Sequence, residues 1–545
     1  MSNKKATVRE VTHQLLRDLG MTTIFGNPGS TELDFLTDWP EDFQYVLGLQ
    51  EASAIGMADG YTRATGKASY VNLHSAAGLG NALGNIFTAY KNQTPMVVTA
   101  GQQARSLLLD EAYLAAHDPS EFPKPYVKYS VQPARAEDVP KAILQAYIIA
   151  MTEPKGPCFV SIPSDDWNQE AEYINVPTVL PQDIANEKGL ADIAEKLAKS
   201  TNVAIVAGSE LGVYNGFGEL VKLAETLKAP VYAAPVSFEC VFPETHPQFA
   251  GFLPAIPEQA AQKLASYDLI FIVGAPAFTF HMPGQFALAK QTEVVQLSVS
   301  SHTLAISSVN FVQNSTALYG DLAKSLARIS EHLSKATLAT NAAVYEPVKR
   351  VTLEKGETLS AAYAIQLLRS MVPDSVTLVE EAPSHRPAIQ QHFPVNRDRG
   401  FMTMASGGLG YGLPAAVGVA LANQHAGKDP VQERVVAVIG DGSMMYSIQA
   451  LWTAADLNVP LTVIVLNNSG YGAMRSFSQL LGYKNVPGIH FTGLDYAQIA
   501  QGHHIQQTWR VDNHEDLQKA LEQALSSSQT NLIEIVVDPN QGNIY

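Results

Sequence analysis

The sequence predicts an α/β protein of three domains, each a doubly wound parallel sheet. Three observations point there. A chain of 545 residues is too long for one core, and about 150 residues per domain gives three or four. Short, wholly apolar runs such as Val203-Ala204-Ile205-Val206-Ala207 alternate with helical patterns, which is how strands covered on both faces read. Two stretches, a Pro-containing one at 176–181 and a polar one at 343–356, interrupt that alternation and read as linkers. They set domain limits of 1–180, 188–342 and 358–545.

In the first domain, Thr7-Val8-Arg9-Glu10 has the pattern of a capping box and opens a helix that Gly20 closes. Strands are expected at 22–25, 45–49, 69–73, 96–100 and 159–163. Helices are expected at 51–65, stopped by Gly66, and at 80–91 after a glycine-rich turn. The second domain has strands at 202–208, 230–234, 269–273 and 294–297. It looks Rossmann-like, but Gly208-Ser209-Glu210-Leu211-Gly212 does not complete a dinucleotide fingerprint, so a packing domain without nucleotide is expected. The third has strands at 376–379, 435–439, 461–466 and 532–537. Its helices are expected at 448–457 and 516–525, the latter with Leu517, Leu521 and Leu525 on one face. Residues 541–545 read as a frayed end or a subunit contact.

Apolar residues make up 46% of the chain and charged residues 16%, as in ordinary globular proteins. The net charge of −16 argues against a nucleic-acid or anionic-membrane surface. Cys158 and Cys240 are too few for a disulfide framework or a zinc site and read as buried small hydrophobes. The first residues carry no apolar leader and no run of about 18 apolar residues occurs, which predicts a cytoplasmic enzyme.

Chemistry enters at Gly440-Asp441-Gly442-Ser443 and, about two dozen residues on, Asn467-Asn468. Each follows an apolar run, so an Asp ends one buried strand and an Asn the next. In a parallel sheet those ends lie together, where ligands bind. A carboxylate and a carboxamide oxygen beside glycines suit a hard cation such as Mg²⁺ that also grips a diphosphate. This spacing resembles the signature of thiamine-diphosphate enzymes. The resemblance implies a pyrimidine-binding first domain, a central Rossmann-like domain and a diphosphate-binding third domain. It implies Asp441 and Asn468 as side-chain metal ligands and Gly470 as a main-chain ligand. Gly442, Ser443, Tyr471 and Ser384 would contact the diphosphate. Leu409 would wedge the cofactor into its bent form, with the Gly407 carbonyl near the pyrimidine amine. Glu51, at a strand end among apolar neighbours, matches the glutamate that sits at the pyrimidine N1′ and needs a raised pKa there. His385, beside Ser384, reads as a bystander.

Four further segments narrow the resemblance: Phe25-Gly26-Asn27-Pro28-Gly29-Ser30, Asn72-Leu73-His74-Ser75-Ala76-Ala77-Gly78, Thr99-Ala100-Gly101-Gln102-Gln103, and 274–281 ending in His281. Together they are similar to the benzoylformate decarboxylases, along essentially the whole chain. That family implies non-oxidative decarboxylation of an aromatic 2-oxo acid to an aldehyde through an enamine on the cofactor. Ser30 would hold the substrate carboxylate, His74 would relay protons at the carbonyl oxygen, and His281 would protonate carbon; histidine suits both tasks near neutral pH. A homotetramer with active sites shared between subunits is implied too, as is a mandelate-type catabolic setting. The chain departs from the family at Thr403-Met404, Met474, Pro383 and Ser476, while Ala473 and Phe477 agree. The aryl pocket is thus rebuilt around soft Met side chains, leaving the preferred acyl group open. The pair His503-His504 lies in the third domain and reads as surface, away from any pyruvate decarboxylase pattern.

Overall fold

The structure is a computed structural model of one chain and describes residues 5–110, 112–178, 184–307, 314–339, 346–356 and 358–539. The expected features at 179–181, at 343–345 and at 541–545 lie outside the described residues. Three six-stranded sheets form, each parallel throughout.

In the first sheet the spatial order is Gln44–Leu47, Thr23–Asn27, Ser69–Leu73, Met96–Gln102, Pro157–Pro163, Ser130–Val131. In the last it is Phe401–Met402, Thr377–Glu381, Val435–Gly440, Leu461–Asn467, Asn531–Val536, Gln507–Val511. Numbered within each domain, both read 2-1-3-4-6-5. The middle sheet, Phe249–Phe252, Val231–Ala233, Val203–Ala207, Leu269–Val273, Glu293–Ser298, Asn314–Tyr319, reads 3-2-1-4-5-6, the Rossmann order. In such sheets the ligand crevice opens at the carboxyl ends of the strands where winding reverses. For the outer domains that point lies between the first and third strands. Ser30 and His74 follow those strands in the first domain, and Ser384 and Asp441 follow them in the third.

The helix Val8–Asp18 has the capping box at Thr7 and Glu10. The helix Glu51–Thr65 ends in left-handed Gly66. The helix expected at 80–91 instead begins at Ser75, with His74 at its N-cap. Its glycines mimic a turn in sequence, yet Gly78 packs inside it: a Cβ there would lie 3.2 Å from Glu51 Oε1. The helix expected at 448–457 is the shorter Ala450–Asp456. The strands missing from the sequence reading, among them Asn314–Tyr319 and Gln507–Val511, lie at sheet edges. The residues of these two are partly exposed, so no continuous apolar run marks them.

The first and third domains share one core cluster. Their helices Glu51–Thr65 and Gly412–His425 cross almost backbone to backbone: a Cβ at Gly60 would lie 2.0 Å from Ala415 O, and one at Gly418 2.0 Å from Met57 O. At the same crossing, buried Arg63 donates to Glu239 of the middle domain at 2.7 Å and to the Thr403 carbonyl at 3.0 Å. Asp59 accepts from the Tyr411 hydroxyl at 2.8 Å. Both cysteines are buried thiols. Among the described residues no helix is long and apolar enough to cross a membrane.

Candidate active site

Glu51, His74 and Ser30 come together at the switch point of the first sheet. A Cβ on Gly78 would touch both Glu51 and, at 3.5 Å, His74 Cβ. A Cβ on Gly29, next to Ser30, would lie 2.2 Å from His74 Nδ1. Glu51 is half-buried and accepts from Asn81 Nδ2 at 3.1 Å and Asn27 Nδ2 at 3.3 Å. Within the chain its setting is therefore amide-lined, not apolar as expected, and neighbouring Leu49 is exposed. Ser30 is exposed at the start of the turn Ser30–Glu32.

Glu32, which the sequence reading missed, organises this cluster from inside. Its buried carboxylate accepts from Gly29 N at 2.8 Å, Thr31 Oγ1 at 2.6 Å, Gly101 N at 2.9 Å and His74 Nδ1 at 2.9 Å. The last contact makes Nδ1 the protonated nitrogen of His74 and leaves Nε2 to exchange protons. A Glu in a polar turn reads as solvated; only the fold turns it inward.

The second cluster occupies the switch point of the third sheet. Asp441 opens the short helix Asp441–Met444, buried, with Oδ1 accepting from Gly442 N at 2.8 Å and Oδ2 from Gly470 N at 2.9 Å. Burial pushes its carboxyl up to about 6, against the pull of those two N–H groups. Asn468 follows the strand Leu461–Asn467 and is 3% exposed. Its Oδ1 is buried and has no hydrogen-bond partner. Gly470 has φ 149°, and a Cβ there would lie 2.3 Å from Ile489 O, so no other residue fits. Gly442 is likewise closed by the Tyr471 ring, which would lie 2.6 Å from a Cβ at that position. Ser443 is buried beside it. Ser384 Oγ accepts from Ala473 N at 2.9 Å. His385 is buried against Asn468, and burial, then Arg475, push its ring down to about 4. From below, fully buried Glu534 accepts from Asn467 Nδ2 at 2.7 Å, and the Tyr496 hydroxyl donates to the Asp441 carbonyl at 2.9 Å.

Gly407 and Leu409 lie on the loop entering the helix Gly412–His425; Gly407 has φ 74°, and Leu409 is half-buried against the shared core. Buried Glu381 ties the loop down through the N–H groups of Gly410, Tyr411 and Gly412, at 2.7, 2.8 and 2.5 Å. Asn85 of the first domain donates to the Gly410 carbonyl at 3.1 Å. His281, from the middle domain, is brought to the second cluster: its ring meets Phe477 edge-on at 4.8 Å, on the helix Gly472–Leu480. His503 and His504 stay apart, with His503 Nδ1 bonded to the Ile499 carbonyl of its own helix.

These residues fit a diphosphate-bound Mg²⁺. The donors offered are all oxygen, as a hard cation requires. The buried, unpartnered Asn468 Oδ1 is an acceptor that costs about 1–3 kcal/mol if left unmet, and a cation would meet it. The glycines around it leave room for phosphate oxygens to approach the backbone.

Three regions match domains of one family: residues 6–121 the thiamine pyrophosphate enzyme N-terminal TPP binding domain, 190–329 the central domain, and 382–535 the C-terminal TPP binding domain. The chain therefore belongs to the thiamine pyrophosphate enzyme family. Within it, the chain is 38% identical over 535 residues to the benzoylformate decarboxylase of Pseudomonas aeruginosa, covering 97% of this chain and 98% of that protein. The crystal structure of benzoylformate decarboxylase from Polynucleobacter necessarius superposes with a TM-score of 0.92 at 36% identity, covering 98% of this chain and 99% of that one. A thiamine diphosphate-dependent 4-hydroxybenzoylformate decarboxylase of Rhodococcus jostii superposes with a TM-score of 0.90 at 37% identity, again covering 98% and 99%.

Proposed function

We propose that this chain is a thiamine-diphosphate- and Mg²⁺-dependent carboxy-lyase that converts an aromatic 2-oxo acid of the benzoylformate type to its aldehyde and CO₂. The observation that carries this reading is the Ser30–His74–Glu51 cluster, built at the same topological position as the Asp441–Asn468 cluster of the third domain. Asp441, Asn468 and the Gly470 carbonyl hold the metal. Gly442, Ser443, Tyr471 and Ser384 would hold the diphosphate, and Leu409 with the Gly407 carbonyl would support the rest of the cofactor. Bound thiamine diphosphate supplies the nucleophilic carbon and the electron sink for loss of CO₂.

The chain's own residues bind the substrate and move its protons. Ser30 donates to the substrate carboxylate. His74, held by Glu32, exchanges a proton at Nε2 with the substrate carbonyl oxygen. His281 delivers a proton to the carbon that has lost CO₂. Glu51 holds a proton at the pyrimidine nitrogen. Apolar surroundings favour loss of the carboxylate, because charge is dispersed as CO₂ leaves. Met404 is buried and Met474 half-exposed beside Ala473 and Phe477, so an aryl group meets adaptable thioethers. The domain limits 1–180, 188–342 and 358–545 are part of this proposal.

The active site is shared between copies of the chain in a homotetramer. Support comes from large apolar side chains left exposed next to both clusters: Leu33 and Leu49 beside Ser30 and Glu51, and Met474 and Leu480 on the helix after Gly470, with Leu481 at its C-cap. A second copy that covers Glu51 would provide the apolar setting missing within one chain. The alternative, a synthase or decarboxylase carrying a nucleotide on its middle domain, is disfavoured by Glu210. Its buried carboxylate fills the middle sheet's switch point, bonded to Ser298 Oγ at 2.7 Å and Thr303 Oγ1 at 3.1 Å.

The test is reconstitution. Protein stripped by chelation should regain benzoylformate decarboxylation only with thiamine diphosphate and Mg²⁺ together. In Glu51→Gln, kcat should fall about 10²-fold or more; a loss under about threefold would remove Glu51 from cofactor activation.

A further inference from the structure

We infer that His385 is a positioning residue for the metal: it fixes which end of the Asn468 carboxamide faces the cation. The inference rests on the reading of Asn468 as a ligand. Asn468 Nδ2 lies 3.4 Å from His385 Nε2. A carboxamide nitrogen only donates, so the ring nitrogen opposite it accepts, and the ring carries its proton on Nδ1. The other end, Oδ1, is then turned away and is the buried atom with no partner. With the ring in that tautomer, a flipped Asn468 would set oxygen against its lone pair and present the metal with an NH₂ group, which cannot ligate.

The pair lies in the interior. Both side chains are 3% exposed, so water does not compete for the amide. The nitrogen end is walled in: a Cβ at Gly472 would lie 2.5 Å from Asn468 Nδ2 and 2.7 Å from Ser384 Oγ. The turn Pro383–His385 thus does two jobs at one strand end, Ser384 fixing the backbone of the next helix and His385 fixing the ligand. Partners of metal ligands are worth about 10- to 100-fold in metal affinity.

The experiment is Mg²⁺ titration by calorimetry on cofactor-stripped protein with saturating thiamine diphosphate and no substrate. His385→Leu, which cannot accept, should raise the Mg²⁺ Kd about tenfold, while His385→Gln, whose Oε1 can accept, should stay within about threefold of wild type. Asn468→Asp offers oxygen at both ends, so in that background His385→Leu should change the Kd less than about twofold. His385→Met carries the same test if the Leu variant does not fold. An equal loss in both backgrounds, or no loss with Asn468 in place, would overturn the inference. Asn468→Ala with wild-type Mg²⁺ affinity would overturn the ligand assignment itself, and this inference with it.

Discussion

Glu32 accepts from His74 Nδ1 and so leaves Nε2 as the nitrogen that, in the proposed reaction, exchanges a proton with substrate. The same carboxylate also clamps Gly29 and Gly101, so the ring, the Ser30 turn and the end of the strand Met96–Gln102 are tied to one group. Glu32→Gln keeps the shape but replaces one acceptor with an NH₂ group. We expect kcat to fall about 10- to 100-fold with KM changed less than about threefold, because the ring loses its orientation while Ser30 still binds substrate. Steady-state kinetics on benzoylformate checks this; a rise in KM alone would make Glu32 a binding residue. At this scale the sequence was half legible. Residues whose chemistry is unusual for their position, such as the Asp and Asn closing two apolar strands, announced themselves. Glu32, Glu381, His385 and Glu534 did not, because a charged residue shows its burial only once the chain has folded around it.

Strand ends carry Ser30, His74, Asp441 and Asn468, and short anchors hold those ends and the loops beside them. The loop of Gly407 and Leu409 has no regular structure of its own and depends on Glu381. Burial pushes that carboxyl up to about 7, against the pull of its N–H partners. A carboxyl with a raised native pKa binds a proton on folding. Its contribution to stability is full below the unfolded value of about 4.5 and is lost as pH rises through about 7, a change of about 3 kcal/mol. Glu381→Gln should therefore show a flatter dependence of unfolding free energy on pH between about 4.5 and 7 than wild type. Chemical denaturation at three pH values across that window is the measurement, and parallel curves would remove Glu381 as the group responsible. Central strands were read nearly in full, since burial on both faces writes an apolar run. Edge strands and the glycine-bearing start of the helix Ser75–Lys91 were not, since there packing overrides local pattern.

The whole molecule uses one strand order twice, in the first and third domains, and equips the two copies differently: Ser30, His74 and Glu51 in one, Asp441, Asn468 and Ser384 in the other. The two switch points belong to different domains, and each is bordered by exposed apolar side chains. If a site combines Glu51 of one subunit with Asp441 of another, two inactive variants complement each other. Unfolding and refolding Glu51→Gln with Asp441→Asn as an equal mixture should restore about a quarter of wild-type activity, since half the dimers are mixed and each has one intact site. No recovery would place both residues in one subunit's site. Substrate choice is the property the motifs leave most open, because it depends on pocket side chains such as Met404 and Met474, where small changes shift selectivity by only about 1–3 kcal/mol. The most direct measurement is kcat/KM for benzoylformate and for pyruvate on the same reconstituted enzyme. We expect benzoylformate to be favoured by at least about tenfold, with benzaldehyde and CO₂ formed in equal amounts. Faster turnover of pyruvate would contradict the assignment of this chain as an aromatic 2-oxo acid decarboxylase.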